Sequence, residues 1–150
     1  MKQLEAESRK LEAEALSDRV KLQASSFKPP PLAAYIHIPW CIKKCPYCDF
    51  NSHTSHDALP ETEYVDALIE DLEQDLRLLG GLPVRPLTSI FFGGGTPSLF
   101  SAAALDRLLQ ALNQRVPFAD DIEITLEANP GTFEQAKFRD YRLAGINRLS

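Results

Sequence analysis

The stretch "LTSIFFGGGTPSLFSAAALDRLLQALNQRV", residues 87–116, decides the fold. Its first six residues suit a strand, and they run into three consecutive glycines. Leu105, Leu108, Leu109 and Leu112 then recur at the spacing of one helix face, with Ser101 placed as the N-cap. The same order recurs on both sides. "AAYIHIP", 33–39, reads as a first strand. After a long loop, Val65, Leu68, Ile69, Leu72, Leu76 and Leu79 mark the apolar face of a helix that ends at Gly80-Gly81. "DIEITLEANP", 121–130, reads as a third strand. Thr132 and Gln135 form a capping box for a third helix, Gly145 closes it, and "INRLS" opens a fourth strand.

Strand–helix units in series predict an α/β fold with a parallel sheet and right-handed crossovers. A closed barrel of eight units takes about 250 residues, and this chain of 150 holds about three and a half units. Two architectures fit, a small open α/β domain or the first part of a larger barrel. The sequence stops inside an apparent strand, and an open terminal edge is a liability. The expectation is therefore the first part of a partial barrel, with a tendency of such a piece to aggregate or remain partly disordered.

Residues 1–26 form a charged, helix-prone extension without a heptad seam, and "FKPPP", 27–31, is a stiff spacer. The predicted boundaries are an extension at 1–31 and a core domain at 32–150. No apolar run approaches the length of a membrane span. The N-terminus lacks the apolar region of a secretory signal, and its acidic residues argue against a transit peptide. A net charge of -5 gives no reason to expect nucleic acid or an anionic membrane as the main partner. Three closely spaced cysteines are no disulfide framework, which points to a reduced, cytoplasmic setting.

All three cysteines lie in "CIKKCPYCDF", 41–50, as Cys41-x3-Cys45-x2-Cys48. Pro46 disfavours helical geometry at Cys45, so the thiols are expected on the long loop from about Pro39 to Pro60. That loop follows the first strand, where α/β proteins bind ligands. Clustered thiolates suggest a soft metal. Structural zinc would need a fourth ligand from His37, His53 or His56. A [4Fe–4S] cluster held by three cysteines would leave one iron open to a small molecule. The triple glycine lacks a dinucleotide fingerprint or a phosphate-loop lysine, but it allows close approach of a ligand to the backbone. On the third strand Glu123, Thr125, Glu127 and Asn129 share the polar face, opposite Ile122, Ile124 and Leu126.

The CxxxCxxC spacing after a first strand resembles the signature of the radical S-adenosylmethionine (SAM) superfamily. The resemblance implies a [4Fe–4S] cluster on Cys41, Cys45 and Cys48, with SAM on the open iron, and a 5′-deoxyadenosyl radical from its cleavage. Tyr47 matches the aromatic position before the last cysteine. By the same resemblance Gly94, Gly95 and Thr96 contact the amino group of SAM, Glu127 its ribose, and Tyr35 the cofactor as well. His37 is given no chemistry.

"YIHIPWCIKKCPYCDFNSH", "FFGGGTPS" and "EITLEANPGT" resemble the anaerobic coproporphyrinogen III oxidase branch nearly continuously over 33–150. That oxidase has a further cysteine two positions after the third, where this chain has Phe50. The "CDF" form is similar to the heme-chaperone sister group. This implies heme as cargo, membrane-bound respiratory proteins as acceptors, and a heme site outside this chain. Alternatives are a catalytic oxygen-independent coproporphyrinogen III oxidase and a non-enzymatic zinc module.

Overall fold

The computed structural model describes residues 30–55, 58–80, 85–128 and 135–150. Leu32–Ile38 forms β1, Trp40–Cys41 β2 and His53–Thr54 β3. Helix α1 spans Glu61–Leu78, β4 Leu87–Gly94, α2 Ala102–Arg115 and β5 Phe118–Leu126. Helix α3 runs over Gln135–Ala144, and β6 is Arg148–Leu149. The main sheet has the order β1-β4-β5-β6, and every pairing is parallel. The chain thus folds as three strand–helix units and a fourth strand, as expected of an α/β protein.

Period-2 alternation sends Ile36, Ile38, Ile90, Phe92, Ile124 and Leu126 to one face of the sheet, where all are buried. Val65 of α1, Leu105, Leu108, Leu109 and Leu112 of α2, and Tyr141 of α3 pack onto that face as one core. Hydrophobic burial of these side chains is the main force holding the two layers together. Leu68, Ile69, Leu72 and Leu76 continue the apolar face of α1 against the core. Leu79 lies past the last helical residue and is half exposed.

The helix ends follow local rules. Ser101 accepts from the Ala104 N–H at 3.2 Å, as an N-cap should. The Glu61 carboxylate reaches across to the same serine, accepting from its N–H at 2.7 Å and its hydroxyl at 2.5 Å. This bond anchors the start of α1 to the start of α2. Gly80 and Gly145 have φ of 60° and 110°, and so end α1 and α3 in the left-handed region that favours glycine. Thr132 of the expected capping box lies outside the described residues.

Two boundaries differ from the sequence reading. β5 begins at Phe118 rather than Asp121 and ends at Leu126 rather than Pro130. The Leu87–Phe118 and Ser89–Glu123 pairs bracket a register shift, so β5 bulges between them and hides its own period. Cys41 is not on a free loop but in β2, which pairs with β3 as a second, two-stranded sheet.

Candidate functional site

The first cysteine is fixed by its neighbours in three dimensions. The N–H groups of Gly95 and Thr96 each donate at 2.8 Å, to the carbonyls of Ile38 and Trp40. The triple glycine is thereby zipped along the chain entering Cys41. Trp40 packs edge-on to Tyr64 at 4.7 Å and is stacked near Phe100 at 5.6 Å. Tyr64 donates its hydroxyl to the His37 carbonyl at 2.7 Å. Cys41 is buried as a result.

The rest of the loop is closed by short-range bonds. Cys48 N–H donates to Cys45 C=O at 3.0 Å, making a turn with Pro46 and Tyr47 at its centre. His53 N–H returns to Pro39 C=O at 2.7 Å, and Ser55 N–H to Cys41 C=O at 3.0 Å. Lys44 donates to the carbonyls of Phe50 and Ser52 at 3.4 and 3.3 Å. Cys45 is exposed and Cys48 half-buried.

One cavity of about 470 Å³ gathers the pieces. Cys41, Cys45, Tyr47, Cys48, Gly94, Gly95, Thr96 and Glu127 all line it, as does Phe50. The glycine wall is obligatory. A Cβ on Gly95 would lie 2.6 Å from the Trp40 oxygen and 3.0 Å from the Cys41 sulfur. Gly94 has φ of 117°, and its Cβ would fall 2.7 Å from the His37 ring. Glu127 stands just beyond β5, where its N–H still pairs with Phe92 C=O at 3.0 Å. Its carboxylate accepts from the Gly94 N–H at 3.2 Å.

Of the nine residues singled out by sequence, only Tyr35 does not line this cavity. It stands on the sheet face opposite the helices, 59% exposed and stacked on Phe91. Its hydroxyl lies 3.1 Å from His37 Nδ1, while His37 Nε2 lies 2.7 Å from Asn51 C=O. A carbonyl only accepts, so Nε2 carries the proton and Nδ1 accepts from Tyr35. Partial burial, and then the negative charge of Glu127, hold the Tyr35 hydroxyl above its ordinary pKa. A hydrogen bond to Cys45, followed by the charges of Cys45 and Cys48, does the same at Tyr47.

Glu123 was expected on the inward polar face. It is exposed and pairs with Arg148 at 3.0 Å, whereas Thr125 on the same face is buried. Sequence reading also missed His37 as a strut and Ser52 as a buried polar residue. A lone serine on an irregular loop carries no periodic signal. A second cavity, about 520 Å³, lies between α1 and the start of β1 and is lined mostly by leucine, alanine and valine.

The donor set fits a [4Fe–4S] cluster. Three soft thiols border one cavity with a side-chain-free wall, and no histidine lines it among the described residues. His37 uses both ring nitrogens elsewhere, His53 is exposed outside the cavity, and His56 lies outside the described residues. In this conformation no three His, Cys, Asp or Glu side chains converge at metal-binding distance among the described residues.

Comparison with known proteins places these motifs. Residues 35–150 match the radical SAM superfamily. The chain is 55% identical over 124 residues to "Heme chaperone HemW" of Haemophilus influenzae, covering 82% of this chain and 32% of that protein. It is 53% identical over 123 residues to the Escherichia coli protein of the same name, with the same coverage. It is 38% identical over 117 residues to "Radical S-adenosyl methionine domain-containing protein 1, mitochondrial" of Danio rerio, covering 77% and 25%. The solved coproporphyrinogen III oxidase (HemN) of Escherichia coli, a radical SAM enzyme, superposes with a TM-score of 0.70 at 32% identity, covering 87% and 30%. The chain spans about a third of the length of the curated relatives it matches.

Proposed function

The chain belongs to the radical SAM superfamily, and from that premise we propose that it is the N-terminal part of a HemW-type heme chaperone, carrying the cluster and part of the SAM site. The observation that supports this reading most is the single cavity shared by the three cysteines, the Gly94–Thr96 turn and Glu127. When bound, a [4Fe–4S] cluster with one open iron supplies a coordination place for SAM and the electron for its cleavage.

This chain's residues hold and orient. Cys41, Cys45 and Cys48 are the ligands. Gly94 and Gly95 present bare backbone to the cavity, and packing demands glycine there, since a Cβ would collide with His37 at one and with Trp40 and Cys41 at the other. With Thr96 beside them, Gly94 and Gly95 would meet the amino group of SAM. Glu127 offers a carboxylate to the ribose hydroxyls, already oriented by the Gly94 N–H. Tyr35 stands outside this cavity and is fixed by His37. Tyr47 covers the loop side.

Phe50 favours the chaperone over the oxidase. It borders the cavity at the position of the oxidase's extra cysteine, and a phenyl ring neither ligates iron nor carries redox chemistry. Heme would be bound by a part of the protein outside this chain and passed to membrane-bound respiratory acceptors. The setting is the cytoplasm, in keeping with free cysteines. Among the described residues no helix is long and apolar enough to cross a membrane.

Anaerobic reconstitution with iron and sulfide tests the reading. About four irons per chain and a spectral change on adding SAM are expected. One zinc and no colour would replace it with the zinc module. SAM-dependent decarboxylation of coproporphyrinogen by a full-length version would replace it with the oxidase.

A further inference from the structure

Ser52 is 4% exposed, one of three buried polar or charged residues among those described. Its hydroxyl lies 3.8 Å from the Cys48 sulfur, within hydrogen-bond range for sulfur. It does not line the cavity that Cys48 borders, so it touches the thiol from outside the cavity lining and cannot serve as a ligand from there. Two restraints hold it. Lys44 grips its carbonyl at 3.3 Å, and the next residue, His53, is pinned to Pro39 at 2.7 Å.

The direction of this bond is decided by chemistry. In the free thiol either partner could donate. Once Cys48 is a thiolate ligand it has no proton, so the serine hydroxyl must donate to sulfur. A donor to a ligand sulfur withdraws negative charge from the metal–sulfur unit and stabilises the reduced state more than the oxidised one. The Tyr47 hydroxyl hydrogen-bonds Cys45, so two of the three thiols have a hydroxyl beside them, and the one at Cys48 is that of Ser52.

We propose that Ser52 is a positioning residue for the cluster, donating a hydrogen bond to the Cys48 sulfur that raises the cluster's reduction potential and fixes that ligand's rotamer. The inference rests on the proposed [4Fe–4S] site. It is independent of whether the protein delivers heme.

The test compares wild-type protein, Ser52→Ala and Ser52→Thr after anaerobic reconstitution, with iron counted and the midpoint potential titrated. Expected are equal iron contents, a more negative potential for Ser52→Ala, and a potential near wild type for Ser52→Thr, which keeps the hydroxyl. Equal potentials in all three at equal loading would overturn the role of Ser52 and leave the cluster standing. Wild-type protein that binds no cluster would overturn both. Should Ser52→Ala load poorly, resonance Raman in light and heavy water decides. A deuterium shift in one iron–cysteine stretch that persists in Tyr47→Phe and in Ser52→Thr supports the bond, and its absence overturns it.

Discussion

The carboxylate of Glu127 accepts a hydrogen bond from the backbone N–H of Gly94 at 3.2 Å. This ties the carboxyl end of β5 to that of β4, at the edge of the cysteine-lined cavity. A single oxygen can bridge the two because the neighbouring strands are in parallel register, with Phe92 opposite Leu126. The side chain is therefore aimed before any ligand arrives.

Replacing Glu127 separates binding from folding. Glu127→Gln keeps an acceptor for the Gly94 N–H and is expected to fold as wild type. Glu127→Ala removes a charged hydrogen-bond partner, which is worth about 1.5–3 kcal/mol. SAM affinity, read from the SAM-induced change in the cluster spectrum, should fall roughly 10- to 100-fold in Glu127→Ala. The decrease in Glu127→Gln should be smaller. Unchanged affinity in both variants would remove Glu127 from the SAM site.

Gly95→Ala attacks the other wall. Its Cβ would meet the Trp40 carbonyl at 2.6 Å and the Cys41 sulfur at 3.0 Å, and the nearer of these is backbone, which cannot swing aside. The segment must shift, at a cost of about 1–3 kcal/mol. Reconstituted iron should drop sharply while the far-ultraviolet spectrum keeps its helix signal. Wild-type iron content in this variant would show that the glycine wall has slack.

Tyr141 gives a pH dependence. Its hydroxyl is buried and lies 2.8 and 2.7 Å from the carbonyls of Ser98 and Phe100. Burial, with a further push from the Glu61 charge, raises its pKa to about 12. The unfolded chain keeps the ordinary value near 10. Below that value both states are neutral and the stabilisation is complete. As pH rises through the window toward the folded pKa, the unfolded state ionises first and the stabilisation is lost. Tyr141→Phe should lose about 1–2 kcal/mol at neutral pH, since two carbonyls lose their donor. Denaturant melts at about pH 8 and about pH 11 should show the gap between the two proteins narrowing at the higher value.

Most of the architecture was legible because it repeats. Alternation in "YIHI" and "IFF" and helical spacing in Leu105–Leu112 are dictated by which face is buried, and burial is what the pattern records. Ser101 and Gly145 were legible because caps have specific chemical requirements. The bulge in β5 was not, since it breaks the very period by which a strand is recognised. The two-residue pairing of β2 with β3 is too short to carry any period.

The site divides in the same way. The three thiols, their spacing and the glycines that follow the second strand could be read directly from the residues, because those are local chemistry. The tertiary structure decided that Glu127, far away in the chain, shares a cavity with Cys41. It also decided that Tyr35 stands beside that cavity rather than in it, and that Ser52 touches Cys48 from outside the cavity lining. Those relations depend on parallel register and on side-chain packing around Trp40, and neither is written in any one stretch of residues.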